Sequence, residues 1–502
     1  MQQGDHAHRR RALGVFGTLI AAAAAGALCL PAAPAIAQTP KIAQTPKVTQ
    51  TGPVSPTPVV GTPTLVDTGT TEQIRQLADC DGIMYAVGTF TEISGYDNAT
   101  GTVQEFSRNN AFAFSDTAPF AIQPWNPDVN GTVNTVAFDG ANCGDAYIGG
   151  QFTTIGTTTA KNIAEVDTDL GAVVPAFKDN AGGQVETILP VDVPPTGVGG
   201  HLLTGGFFKS INNSSADPYY TSLNPATGRN DGFLDLGISG HIEFKGVKDN
   251  STEVYNQQLS PDGTLALVEG DYTSVGGLNR RQIFMINVSG STATLTGWTS
   301  PEFDGSDPNG TLNPNDVYYN CGASHPYYIR AAAWSPDGST VYVADTGVHA
   351  ILWPGTGPLV GLCDATAAFP STQTQVFSDW IAYDGCDSLY SAAADNYALY
   401  VAGHDRWFNN QNACNKAGPG AIPDQGLAGL TPGASGGSLI LDSAGTAGLY
   451  SRSRGHGADD MLLIQPPAAD AGLWIASDNF DGGTSCGGVK GFSGLCFLPY
   501  TS

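Results

Sequence analysis

The stretch YIGGQFTTIG, residues 147–156, decides the fold. It reads as a strand interrupted by two glycines and followed at once by Phe152 and Ile155. In an isolated strand that order is costly, because interior glycine packs nothing and loses the most conformational freedom on folding. The segment returns as YAVGTFTEISG (85–95), LLTGGFFKSIN (202–212) and LVEGDYTSVGG (267–277). A motif that recurs belongs to an architecture. Glycine in it permits a bulge or a close backbone approach, and the aromatic and β-branched residues that follow fill the widening gap between packed sheets. A phosphate-binding loop does not fit, since no helix follows and no Lys-Ser/Thr pair is present.

Outward from this stretch, the second copy supplies a template of four short strands: TVNTVAF (132–138), DAYIGGQF (145–152), NIAEVDT (162–168) and AVVPAF (172–177). Later copies keep their first two strands in IRAAAWSPDGSTVYVAD (329–345), SLYSAAADNYALYVAG (388–403) and ADDMLLIQPPAADAGLWIAS (458–477). The SPDG sequences at 260–263 and 335–338 are matching tight turns, with Asp and Gly supplying the turn chemistry. Anchoring on the residue after each second strand gives positions 90, 152, 208, 272, 347, 405 and 479. Seven four-stranded units at this period predict an all-β fold, a seven-bladed β-propeller, with six or eight blades left open by the irregular units after residue 300. The last unit shows three strands, and TPTLVDTG (62–69) has no unit of its own. The expectation is therefore that this N-terminal strand closes the last blade and protects its edge.

With 64 Gly and 32 Pro in 502 residues and only 13% charged residues, the composition suits a turn-rich β protein. Residues 1–37 read as a secretory signal peptide, with Arg9, Arg10 and Arg11, an apolar run over 13–30, and Ala35-Ile36-Ala37 as the cleavage site. Residues 38–61 are Thr-, Pro- and Gln-rich, continue a tandem IAQTPK repeat, and read as an extended linker to a propeller domain at 62–502. Removing residues 1–37 takes away three Arg and one Asp. The mature chain then carries 18 Lys+Arg against 45 Asp+Glu, a net charge of −27. Such a chain repels nucleic acid and anionic membranes. No apolar run after the signal approaches the roughly 20 residues of a membrane span. The expected setting is a secreted, extracellular monomer.

Eight cysteines remain beyond Cys29, and an even number in an exported chain argues for four disulfides. Blade neighbourhoods suggest sequential pairing: Cys80 with Cys143, Cys321 with Cys363, Cys386 with Cys414, and Cys486 with Cys496.

NPDVNGTVNTVAF (126–138), YIGGQFTTIG and NIAEVDTDLGAVVPAF (162–177) together resemble the delta-60 type β-propeller repeat of secreted bacterial proteins, especially those of actinobacteria. The resemblance covers residues 72 to about 300. Beyond it, Asp345, His404 and Asp478 interrupt the Gly-Gly-x-Phe core. It implies a fold and an exported location, and no reaction.

In a propeller, the loops before the first strands and those between second and third strands share one face, where function usually sits. That reasoning gathers His325, Tyr327, Asp379, Trp380, His404, Asp405, Arg406, Trp407, Arg454, His456, Asp459 and Asp460 as candidate ligand-binding residues. Aromatic rings beside carboxylates and guanidinium groups suit sugar recognition. His404 with Asp405, or His456 with the two aspartates, would equally suit acid–base work or metal ligation. The plainer alternative is that these residues cap turns. GSDPNGTLNPND (305–316) sets Asp307, Asn309, Asn313 and Asp316 at spacings that echo a calcium loop, although Gly305 stands in place of the first Asp. No other cofactor is expected. No nucleophile elbow, zinc-protease helix or Walker loop is present. The sequence therefore favours a non-catalytic binding or surface-interaction module for an extracellular glycan or protein. The alternatives are a carbohydrate-active hydrolase or lyase, and a structural envelope or matrix protein.

Overall fold

The computed structural model describes residues 50–500 apart from 140–141, 193–199, 243–250, 305–327, 347–361, 363, 386, 412, 414–415, 425, 442–456, 467, 469, 480–483 and 487–488. Sheet four shows the unit in full. Glu253–Leu259, Leu265–Asp271, Ile283–Asn287 and Thr294–Leu295 pair antiparallel in chain order. Sheets five and six repeat that order with four strands each. Sheets one to three have three strands, and a single bridge such as Val166 to Val173 holds the fourth position. Among the described residues there are seven such sheets, and their first strands touch one another in sequence until the seventh returns to the first. The chain is a β-propeller.

The cores lie between the sheets. Among the described residues, seven separate clusters of buried apolar side chains occur, one in each seam between neighbours. The recurrent aromatics are wedges in these seams: Phe90, Phe152, Phe208 and Tyr272 are all at most 2% exposed. After each of them the chain makes a small hairpin or bridge whose aliphatic residue, Ile93, Ile155, Ile211 or Val275, is also buried. The two SPDG turns are near copies. Ser260 Oγ donates to Asp262 and accepts from Leu265 N, and Ser335 Oγ does the same with Asp337 and Thr340 N.

The opening glycines have distinct duties. Opposite Gly150 the first strand of sheet two is bulged between Val133 and Thr135, and a Cβ on Gly150 would sit 2.1 Å from Thr132 O. Gly149 faces the next sheet instead, where a Cβ would meet Val185 Cγ1 at 2.5 Å. The same division holds for Gly206 and Gly205.

Ring closure departs from expectation. Thr64–Leu65 does not join sheet seven as its outer strand; it pairs with Glu92–Asp97 in a hairpin inserted between the second and third strands of sheet one, although Leu65 N does reach Ser493 O. The last strand, Leu495–Pro499, is lined instead by residues 54–59, through Ser55 N to Pro499 O at 2.7 Å, Val59 N to Phe497 O at 2.9 Å and a bridge from Val54 to Tyr500. The proline content that made this segment look like linker suits an edge strand. Pro56 and Pro58 lie between the two donating residues, and proline is tolerated where no ladder hydrogen bond is required of it.

Cys80–Cys143 and Cys486–Cys496 are both bonded as expected, with Cα–Cα distances of 5.8 and 6.3 Å. The 321–363 and 386–414 pairings fall outside the described residues, as does the 305–316 loop with Asp307, Asn309, Asn313 and Asp316.

Gly150→Ala and Gly206→Ala should each cost about 2 kcal/mol or more, because the added Cβ meets backbone that cannot rotate away. Thr158→Ala, on an exposed hairpin, should stay within about 0.5 kcal/mol. Urea unfolding of the three variants measures the contrast.

Candidate axial binding site

Every first strand carries a β-bulge near its beginning: Ile74/Gln76, Val133/Thr135, Val185/Thr187, Val254/Asn256, Ile329/Ala331, Leu389/Ser391 and Ala458/Asp460. A bulge sets two residues of one strand against one of its partner and re-aims a side chain. The extra residues are Arg75, Asn134, Glu186, Tyr255, Arg330, Tyr390 and Asp459, and all of them line one cavity of about 270 Å³. The residue before each bulge, from Ile74 round to Ala458, is fully buried and anchors the strand in its seam. One residue from each sheet thus converges on the propeller axis, just inside the face that the sequence selected as functional.

The residue after the bulge helps hold neighbouring sheets together. Gln76 Oε1 accepts from Val136 N at 2.7 Å, Thr135 Oγ1 from Ile188 N at 3.2 Å, and Asp460 Oδ2 from Leu77 N at 2.9 Å. The third of these joins the seventh sheet to the first.

The cavity is polar and carries both charges. Arg330 lies over the rings of Tyr255 and Tyr390, 4.7 and 5.9 Å from their centroids, so a cation is held between the aromatic residues of the two flanking sheets. Gln184 Nε2 donates to Glu186 and Gln73 Nε2 to Asp459, each at 2.5 Å. Burial raises Glu186 against the opposing pull of Arg75 and Arg330. Burial, reinforced by the Glu186 charge, pushes Glu253 on the same wall up to about 7. Asp459 rises to about 7 by burial, opposed by the Gln73 hydrogen bond. Carboxyls that titrate near neutrality inside a cleft mark candidate functional sites.

The sequence-derived candidates separate. Asp459 and Asp460 line the cavity. The ring of His404 packs near that of Tyr390, at 5.6 Å between centroids. Arg406 is committed to Asp387, its Nε reaching Oδ2 at 2.8 Å. Trp407 sits in a short strand, Trp407–Phe408, paired with Ile422–Pro423. Asp405 is 2% exposed and belongs to a buried acidic group with Asp384, whose carboxyl is also raised by Asp364, Asp387 and Asp345. Asp379 and Trp380 lie elsewhere. Trp380 begins the fourth strand of sheet five, level with Ala368 and Tyr342, at the end away from Ile329 and the cavity. Its indole N–H donates to Gly433 O at 2.8 Å. His325, Tyr327, Arg454 and His456 lie outside the described residues.

Six of the seven axial residues escaped the sequence reading. Strict alternation along a strand gives no reason to single them out, since only the bulge turns them inward. The signal that would have found them is positional: the residue directly after the first buried aliphatic of each inner strand.

No protein-family model matches the chain, and no curated protein matches it. Among solved structures it is similar to Sqt1 of Saccharomyces cerevisiae, at 9% identity and a TM-score of 0.44 over 86% of this chain and 97% of that one. It is similar also to U3-55K, at 8% and 0.44 over 88% and 100%, and to the Dos1 propeller, at 9% and 0.39 over 86% and 80%. Likeness at this level carries nothing about activity, and the fold rests on the strand order itself.

The buried acids fix the sign of a pH effect. Burial pushes Glu269, which is fully buried, up to about 8, and burial with the charge of Asp387 pushes Asp405 to about 8. Between roughly pH 4 and pH 8 these groups keep protons in the folded chain that the unfolded chain has released. Their stabilising contribution is therefore complete at the acid end and is lost as pH rises through about 8. In chelator, the thermal midpoint should fall from pH 5 to pH 9. Glu269→Gln should flatten that fall, with a gain on the order of 1 kcal/mol over the parent at pH 9.

Proposed function

We propose that this chain is an exported, non-catalytic binding module whose axial cavity holds a terminal unit of an extracellular glycan. The observation that carries this reading is the convergence of seven bulge residues, one per sheet, on a single small polar cavity. Its chemistry suits a hydroxyl-rich ligand. Tyr255 and Tyr390 offer ring faces and hydroxyls, Asn134 and Asn256 donate and accept, and Glu186, Glu253 and Asp459 accept from hydroxyl groups while Arg75 and Arg330 donate to ring and glycosidic oxygens. A volume of about 270 Å³ suits one small polar unit and leaves the rest of a polymer outside. The signal-like N-terminus and the strong acidity support an extracellular setting free of nucleic acid.

A second reading has its own support. Glu253 and Asp459 share the cavity and are both pushed up to about 7, so a proton donor and a carboxylate base can coexist there near neutral pH, as glycoside cleavage requires.

Binding to a glycan array, followed by calorimetry on the ligands found, tests both readings. Tyr255→Ala and Arg330→Ala should each weaken binding about 10-fold or more, roughly 1.4 kcal/mol, with the thermal midpoint kept. Trp380→Ala, at the far end of its sheet, should leave affinity unchanged. Cleavage of a bound glycan, lost in Glu253→Gln while binding persists, would establish the enzyme in place of the pure binder. Absence of any glycan binding would overturn both.

A further inference from the structure

The opposite end of the propeller gathers a second set of polar groups. Asp79 stands near the end of the first strand of sheet one, Gln73–Cys80; Asp116 directly follows the third strand of that sheet, Ala111–Ser115; and Asp470 precedes the second strand of sheet seven, Gly472–Ser477. One oxygen from each carboxyl lies within 4.8 Å of the other two. Asp470 is 4% exposed, and its Oδ2 has no hydrogen-bond partner. A buried acceptor left without a donor is rare, because the desolvation it suffers goes uncompensated. No Lys or Arg among the described residues pairs with any of the three. The turn that carries Asp81 brings a fourth carboxyl nearby, and the Asp116 N–H donates to Gly82 O across that turn.

We propose that Asp79, Asp116 and Asp470 are the protein ligands of a calcium ion that joins the first sheet of the propeller to the last. The donors are all hard oxygens, which excludes the soft and imidazole-seeking transition metals as preferred occupants. Calcium binds six to eight oxygens at about 2.4 Å in adaptable geometry, so ligand oxygens on opposite sides of one ion stand about 4.8 Å apart. Magnesium demands a tighter and more regular octahedron. Asp79 is exposed, which leaves an approach for the ion and room for water ligands, while Asp470 supplies the buried wall. The position gives the ion a structural task. It spans the seam where the two ends of the ring meet, and Asp79 is fixed there by its neighbour Cys80, bonded to Cys143 of sheet two. This site shares no residue with the 305–316 sequence and lies at the opposite end from the axial cavity.

The mature chain, residues 38–502, stripped with chelator and dialysed against labelled calcium, gives the number of ions bound. Thermal unfolding in calcium and in chelator gives their effect. The double variant Asp116→Asn with Asp470→Asn is expected to bind one ion fewer per chain and to lose the part of the calcium-dependent rise in Tm that this ion supplies. In chelator it should melt at or above the parent, since the mutual repulsion is gone, which shows that it folds. The proposal is overturned if the parent binds no calcium at millimolar concentration, if the double variant keeps the parent's stoichiometry and full calcium increment, or if magnesium stabilises the parent and calcium does not.

Discussion

The constraint on which the structure depends is the crowding of seven first strands around one axis. Each relieves it in the same way, by taking one residue more than its partner strand at a point just below the mouth. The bulge thrusts a backbone carbonyl towards the second strand, where side chains are costly: a Cβ on Gly88 would lie 1.9 Å from Gln73 O, and one on Gly270 2.2 Å from Glu253 O. Three consequences follow from this one distortion. Glycine recurs in the second strand, a side chain is turned into the axis, and the next residue is placed where Gln76, Thr135 or Asp460 can accept a hydrogen bond from the neighbouring first strand. The cavity is thus a by-product of how the ring is packed, and part of its lining, Gln76, Asn134, Asp459 and Asp460, also bonds one sheet to the next.

Closure of the ring shows the same economy at the other margin. An open propeller would present the last strand as a bare edge, the feature β proteins work to avoid. Residues 54–59 cover it using Ser55 and Val59 as donors, with prolines between them, so that the new edge is itself poor in donors. Val54 N also donates to Tyr400 OH, and that hydroxyl donates to Asp395, which anchors the covering segment to sheet six as well as sheet seven.

The four-stranded unit was legible in sheets one to four because Gly-x-Phe/Tyr marks the bulge partner and the seam wedge together. It faded later for a physical reason. Asp345 and Ser477 occupy the glycine position in sheets five and seven, and Asp345 turns its carboxylate to accept from Ala365 N at 3.0 Å, a local solution that needs no glycine. Closure by a Pro-rich segment was hidden because composition reports flexibility more readily than edge pairing. Of the residues singled out in the sequence, Asp459 and Asp460 line the axial cavity and His404 packs beside its Tyr390. Asp379 and Trp380 were misplaced because SDWIAYD is itself an outer strand, so its first residues point away from the mouth that its last residue approaches.

The acidity of the chain also divides by position. In the turns, Asp262 and Asp337 accept from Ser and Thr hydroxyls and from backbone N–H groups while exposed, and their carboxyls are held below the usual range. Such residues cost nothing to ionise and keep the surface charged. In the seams, Asp384 and Asp405 share one buried neighbourhood and repel one another, so burial and like charge both favour the neutral acid. Solubility does not explain acids in that second class, because a neutral buried carboxyl contributes no surface charge. Their placement at sheet junctions makes the contribution of those junctions depend on protonation. The propeller is therefore a ring with apolar seams in every gap and buried acidic junctions that respond to pH.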